Sequence, residues 1–256
     1  MKTLLRFEFR KLKRQKSFYV CLAVMLAMIL ISGITYKILA QHAEAIAEIT
    51  EGGTSLPLSG SAFMLAFLSS SNFSLITAIF VAIAVCGDYD AQIVKNVYAR
   101  GYSRGQCYFS KMIYTFTAAT IMFAALFAAS ALIGAAVFGL DDVQGKTFLL
   151  VAMQYIVSMA EVALYFAISS SIRKLGGSIP VCIFAPMLIS LLLELADTAL
   201  KTDGFKVASV WFSSFEIDLT NIAIGTERIV VCAVLSVVYA AAFIVIGYAI
   251  NRKTEI

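Results

Sequence analysis

The residues able to do chemistry in this chain are few. The single histidine, His42, falls in a predicted outer loop, and the five cysteines (Cys21, Cys86, Cys107, Cys182, Cys232) contain no C-x-x-C pair. Zinc, haem and iron–sulfur centres therefore lack a ligand set, and the cysteines read as small apolar fillers. An intramembrane peptidase needs a Ser/His pair, paired aspartates or an H-E-x-x-H helix, and no second acid partners Glu161 in sequence. What stands out instead is acid and small polar groups in apolar runs: Glu161, Glu194 and Asp197, and the cluster Ser69, Ser70, Ser71, Asn72 and Ser74. A charge deep in a membrane span costs roughly 2.5–3.5 kcal/mol on insertion scales, so it implies a function or a partner. Glu161 reads either as a neutral carboxyl bonded to a neighbouring span or as a group that meets a cationic substrate or carries protons. The Ser/Asn cluster reads as helix packing or as part of a substrate route. Glu161, Glu194, Asn72 and Ser71 are the candidate substrate-route residues.

The second feature is the stretch CGDYDAQIVKNVYARGYSRGQCYFSKMI, residues 86–113, polar, basic and aromatic between two apolar runs. Gly87 is expected to break the preceding helix, with Asp88 or Asp90 as N-cap. Ile93, Val94, Val97 and Tyr98 then recur at helical spacing. Lys95 and Arg100 lie late in the segment, where the helix dipole favours cations, and Gly101 suits the C′ position. The spacing predicts a short capped helix within 88–101, running across a membrane face. Its apolar side, outside lipid, calls for a protein partner.

These groups need elements to hold them. The chain has 256 residues, 61% hydrophobic and 14% charged, against roughly 25% charged in a soluble domain. It is therefore an integral membrane protein, all-α, since the polar/apolar alternation of a barrel is missing. Six runs reach the ~20 residues a span needs: 18–40, 62–86, 112–140, 147–172, 177–200 and 229–250. With the N-terminus inside, inner segments hold 15 Lys/Arg and outer loops 5. Lys/Arg bias sets orientation, so both termini are expected in the cytoplasm of a cell-membrane protein. The first span is read as retained rather than as a cleaved signal, because a long basic segment precedes it.

Residues 1–17, MKTLLRFEFRKLKRQKS, form a predicted amphipathic helix. Leu5, Phe9 and Leu12 make an apolar stripe, and Lys2, Arg6, Arg10 and Lys13 a basic one. Such a helix lies in the headgroup layer, with about 1 kcal/mol from anionic lipid per nearby basic side chain. Pro180 and Pro186, after Gly176 and Gly177, give the fifth span the means to bend. The last outer loop, 201–228, reads as interfacial or re-entrant helices, with Trp211 suited to headgroup level. The first outer loop is acidic through Glu44, Glu48 and Glu51.

The polar stretch resembles the first cytoplasmic loop of type-2 ATP-binding-cassette (ABC) exporter permeases, in particular the six-span permeases of the bacitracin-resistance, lantibiotic-immunity and peptide-export kind. The matching residues are Gly87, Asp88, Asp90, Lys95, Asn96, Gly101, Ser103, Arg104, Tyr108, Ser110 and Lys111, and the opening LLRFEFRKLKRQKSF resembles the family's start. The chain departs from the family at Gln92-Ile93, where Gly-Thr is frequent. The resemblance implies an elbow helix (Leu5, Arg6, Phe9, Arg10, Leu12, Lys13) and a coupling helix (Asp88, Asp90, Ile93, Val94, Lys95, Val97, Tyr98, Arg100, Gly101, Arg104) seated in a nucleotide-binding subunit. The chain has no G-x-x-x-x-G-K-[ST] loop. ATP and Mg are accordingly expected on separate ATPase subunits, two per complex, with no cofactor on this chain. A second permease chain, identical or sibling, and membrane lipid are the other implied partners; nucleic acid is not one. The implied function is export of an amphipathic peptide, antibiotic or lipid-like substrate by one permease domain, 1–256, that is not itself an enzyme. The alternatives are an ion-coupled carrier, which would usually show inverted repeats and matching broken helices, and a non-transporting regulatory subunit.

Overall fold

The computed structural model describes residues 2–41, 59–69, 71–139, 145–200 and 206–253. Among the described residues there is no strand. In chain order the helices are α1 Lys2–Arg14, α2 Lys16–Gln41, α3 Gly60–Leu68, α4 Ser71–Asp90, α5 Ile93–Ala99, α6 Arg104–Phe138, α7 Gly145–Ile172, α8 Leu175–Leu200, α9 Phe212–Asp218 and α10 Thr226–Lys253, with a 3-10 turn at Val207–Val210 before α9. Six spans, with α3 and α4 together making the second, are long and apolar enough to cross a membrane. A helix is the form that satisfies every backbone group inside lipid without a partner strand.

The spans do not share burial equally. The α3–α4 and α7 spans are the core, while α8 and α10 are mostly unburied within the chain. Val181, Phe184, Leu188 and Leu192 on α8 and Val230, Val234 and Val245 on α10 face outward, as side chains against lipid tails do. Small residues bring backbones together where the core is tightest. Gly247 of α10 sits so close to α7 that a methyl group there would meet Ala167 Cα at 3.2 Å and the Tyr108 hydroxyl at 2.6 Å. All five cysteines are buried.

Two expectations about helix ends are corrected. Gly87 does not break the second span. Its φ is not positive, Ala91 N donates to Gly87 O at 3.0 Å, and the helix runs on to Asp90. The turn falls instead at Gln92, held at φ 55° without any side-chain cap, so neither Asp88 nor Asp90 is an N-cap. Those two carboxylates are engaged in tertiary contacts, which stabilise the extra helical turn. The second span is also interrupted at the Ser cluster: α3 ends at Leu68, Ser69 is its C-cap, and α4 restarts at Ser71. The side chains of Ser71 and Asn72, together with His42, Glu44, Glu48 and Glu51, lie outside the described residues.

Candidate functional site

The polar groups gather at two ends of the bundle. The terminal end carries α1, the α4–α6 connection, the α7–α8 turn and the end of α10. At its centre is Asp88, on the last turn of α4 and 4% exposed. Lys111 Nζ of α6 reaches Asp88 Oδ2 at 3.0 Å and is itself 7% exposed, while Lys11 of α1 bonds the other carboxylate oxygen. Lys111 also donates to Val85 O at 3.5 Å and lies over the Tyr89 ring, 4.7 Å from its centroid. A buried charge persists only where opposite charge and hydrogen bonds replace water, and one carboxylate shared by two ammonium groups meets that condition.

Glu8 of α1 is buried beside this cluster, and its Oε2 has no hydrogen-bond partner. Burial raises its pKa above the ordinary carboxylate value; Lys11 and Lys111 pull it down and Asp88 pushes it up, without reversing the sign. Leu4, Phe7, Ile93, Val94, Val97 and Cys107 close over the carboxyl groups. Tyr114 of α6 bonds Gln15, and Lys11 lies 5.5 Å from the Tyr114 ring centroid. Hence α1 is fixed to α4 by the Lys11 ammonium as well as by its buried leucines, and Gln15 just beyond it bonds α6. Of the expected stripe, Leu12 is buried, Leu5 half-buried and Phe9 exposed, while Arg6, Arg10 and Lys13 are exposed. The inward face centres on Leu4, Glu8 and Leu12.

Helix α5 lies against the same cluster. Val94 is buried, and Ile93, Val97 and Tyr98 are half-buried. Burial pushes the Tyr98 hydroxyl up to about 12. The apolar side that seemed from sequence to require another protein is thus largely covered by α1 and α6. The outward face is polar: Gln92, Lys95, Asn96 and Arg100 are exposed, with Ala99 among them. Gly101 ends the helix at φ 84°, the left-handed conformation that favours glycine, and donates to Tyr98 O at 2.9 Å. Ser103 then caps α6 with a reciprocal capping box through Gln106.

Arg173, between α7 and α8 at φ 59°, completes the ring. Its guanidinium donates to Asn251 Oδ1 of α10 at 2.6 Å and stacks 5.3 Å from the Tyr89 centroid. Asp90 Oδ2 accepts from Leu175 N at 3.3 Å, and Arg104 donates to Arg252 O at 3.1 Å. The ends of α1, α6 and α8 are therefore tied to the segment around Asp88, Tyr89 and Asp90, and Arg173 links α7 and α10 to the same segment.

At the opposite end Gln154 of α7 donates to Leu65 O, Ser69 Oγ and Leu219 O at 3.1, 2.5 and 3.2 Å, joining α3, α7 and the end of α9. One helical face of α7 carries Gln154, Ser158, Glu161 and Tyr165, all buried. Tyr165 bonds Ser74 of α4. Glu216 of α9 faces this stripe, and burial together with the charge of Glu161 raises its pKa well above the ordinary range. Of the substrate-route residues whose side chains are described, Glu161 is inside the bundle and Glu194 is exposed on α8. Asp197 accepts from Val207 N and Ala208 N at 2.7 and 2.8 Å, so it caps the 3-10 turn. Trp211 is 8% exposed and packs on Phe212 and Tyr239.

Sequence reasoning missed Glu8, Gln154, Glu216 and the roles of Lys11 and Arg173. Glu8 carried one signal: it is an acid in a helix otherwise rich in Lys and Arg, spaced i, i+4 from both Leu4 and Leu12.

No curated protein matches the chain. The family model described as ABC-2 family transporter protein matches residues 4–193, a stretch that includes α1, the Asp88 cluster and α5, and the chain belongs to that family.

Proposed function

We propose that this chain is the membrane-spanning subunit of an ATP-driven exporter whose ATPase is a separate polypeptide. The observation that carries the reading is α5: a seven-residue helix across the terminal face, polar outward and seated inward on a buried ion cluster. The terminal face is cytoplasmic, since most Lys and Arg lie there. ATP and Mg sit on the ATPase subunits, two per complex, and a second permease chain, identical or sibling, completes the pore. The ATPase meets Gln92, Lys95, Asn96 and Arg100. Its displacement of α5 passes through Val94 to α1 and α6, and through Asp88 to α4. Coupling of this kind needs a contiguous packed path, and the chain supplies one.

The cargo is an amphipathic peptide, antibiotic or lipid-like molecule taken from the membrane, because the unburied faces of α8 and α10 are almost wholly apolar. An ion-coupled carrier is the second reading, favoured by buried Glu161 and the half-buried Glu216 that faces it, for which no basic partner within ion-pair distance occurs among the described residues. Co-purification separates the two. An ATPase chain should accompany the tagged permease from its native membrane, and transport without any ATPase would favour the carrier.

A further inference from the structure

Beside α5, on the side away from Asp88, a groove of about 270 Å³ runs between α1 and the α5–α6 connection. Its walls are Thr3, Arg6, Phe7 and Arg10 from α1, and Arg100 and Tyr102 from the connection, over a floor of Leu4 and Val97. No acidic residue lines it. Three arginines, Arg6, Arg10 and Arg100, line it, and none forms an ion pair among the described residues. Glu8, the one acid of α1, points into the Asp88 cluster on another face of the helix. The groove is thus a donor-rich basin with an apolar floor and no internal acceptor.

We infer that this groove holds the phosphate of an anionic inner-leaflet phospholipid, which bridges the elbow helix to the end of the coupling helix. Guanidinium groups bind phosphate oxygens through paired N–H donors, and three around one groove favour an anion strongly over a zwitterion. Two observations select a lipid over an acidic protein segment. The α1 wall leads directly into the first span at Lys16, which puts the groove at the membrane surface where anionic lipid is the abundant anion. The same helix leaves Phe7 47% and Phe9 37% exposed, aromatic surface suited to acyl and glycerol groups at the headgroup boundary. A lipid held by Arg6, Arg10 and Arg100 would tie α1 to α5 from the outside, as Asp88 ties α1 to α4 from within.

The inference uses the membrane orientation proposed above but needs no ATPase, so its test is separable from the exporter reading. The full-length chain in neutral detergent is titrated with dioctanoyl phosphatidylglycerol or dioctanoyl phosphatidylcholine, and bound lipid is counted by native mass spectrometry. The wild-type chain should prefer the anionic lipid on the order of tenfold. The Arg6→Gln/Arg10→Gln/Arg100→Gln variant should lose that preference. A variant of equal charge change, Arg14→Gln/Lys16→Gln/Lys253→Gln, should keep it. Equal preference in all three chains overturns the site. Full displacement of the lipid by inorganic phosphate at equal concentration overturns the lipid as its source. An unchanged lipid preference in the groove variant, together with binding of an acidic peptide by the wild-type chain and not by that variant, assigns the groove to an acidic protein segment instead and likewise overturns the inference.

Discussion

The carboxylate of Asp88 and the ammonium of Lys111 meet at 3.0 Å, each more than nine-tenths buried, at the junction of α4 and α6. Lys11 shares the same carboxylate from α1. Breaking a buried pair by removing one partner typically costs about 3–5 kcal/mol, since the other charge is left without compensation. Replacing both partners by apolar groups is far less damaging. Lys111→Met should therefore lower the stability of the purified chain by a few kcal/mol, and Asp88→Leu/Lys111→Met by less than the sum of the single changes. Thermal unfolding in detergent measures both. Strict additivity would mean that the two groups do not act as a pair.

The buried carboxyl of Glu8 gives a pH dependence of unusual sign. Its pKa in the folded chain is raised above the ordinary carboxylate value of 4.5, chiefly by burial. The stability it contributes is therefore fully present below about pH 4.5 and is lost as pH rises through the raised folded value. Glu8→Gln should unfold at a higher temperature than wild type at neutral pH, and the difference should shrink on acidification. A lower unfolding temperature at neutral pH would show that the ionised form is favoured by Lys11 and Lys111.

Contact between α7 and α10 depends on the missing side chain of Gly247. A Cβ there would lie 2.6 Å from the Tyr108 hydroxyl and 3.2 Å from Ala167 Cα, and the latter is backbone that cannot rotate away. Gly247→Ala should cost roughly 1–3 kcal/mol, the usual range for overpacking. Gly105→Ala, whose Cβ would stand 3.5 Å from Tyr248, is the matched control and should be close to neutral. Comparable unfolding temperatures for the two variants would contradict the close approach.

How much of this was legible in the sequence follows from how local each signal is. The existence of α5 was readable from the spacing of Ile93, Val94, Val97 and Tyr98, and its end from Gly101, because periodicity and a left-handed cap are local properties. Its start was not. Gly87 tolerates helix as well as a break, and what extends the helix past it is the hold of Lys11 and Lys111 on Asp88, distant in sequence. Likewise, the apolar face of α5 was visible, but its cover, α1, could be assigned only once Leu4 and Phe7 were seen against Val94. Glu161 was flagged by its chemistry alone. Its neighbour Glu216 was hidden because a carboxylate in an outer loop is ordinary until the loop folds back onto the bundle. Glu194 carries the same sequence signal as Glu161 yet is exposed on α8, because an acid in an apolar run need not face into its own bundle.

The burial pattern of α5 also decides which variant probes docking cleanly. Val97 and Tyr98 are half-buried against the chain itself, so acidic replacements there would disturb α1 and α5 before any partner is involved. Lys95 and Asn96 are exposed, and neither lines the groove between α1 and the α5–α6 connection. Replacing both by aspartate leaves the internal packing and the groove intact and alters only the outward face.

The central claim is that the outward face of α5 receives a separate ATPase. Its most direct test is affinity purification of the tagged permease from its native membrane, comparing wild type with Lys95→Asp/Asn96→Asp. The account predicts that an ATPase chain co-purifies with wild type and is lost from the variant, while both permeases elute as the same folded species. An ATPase retained in full by the variant, or absent from the wild-type complex, would contradict it.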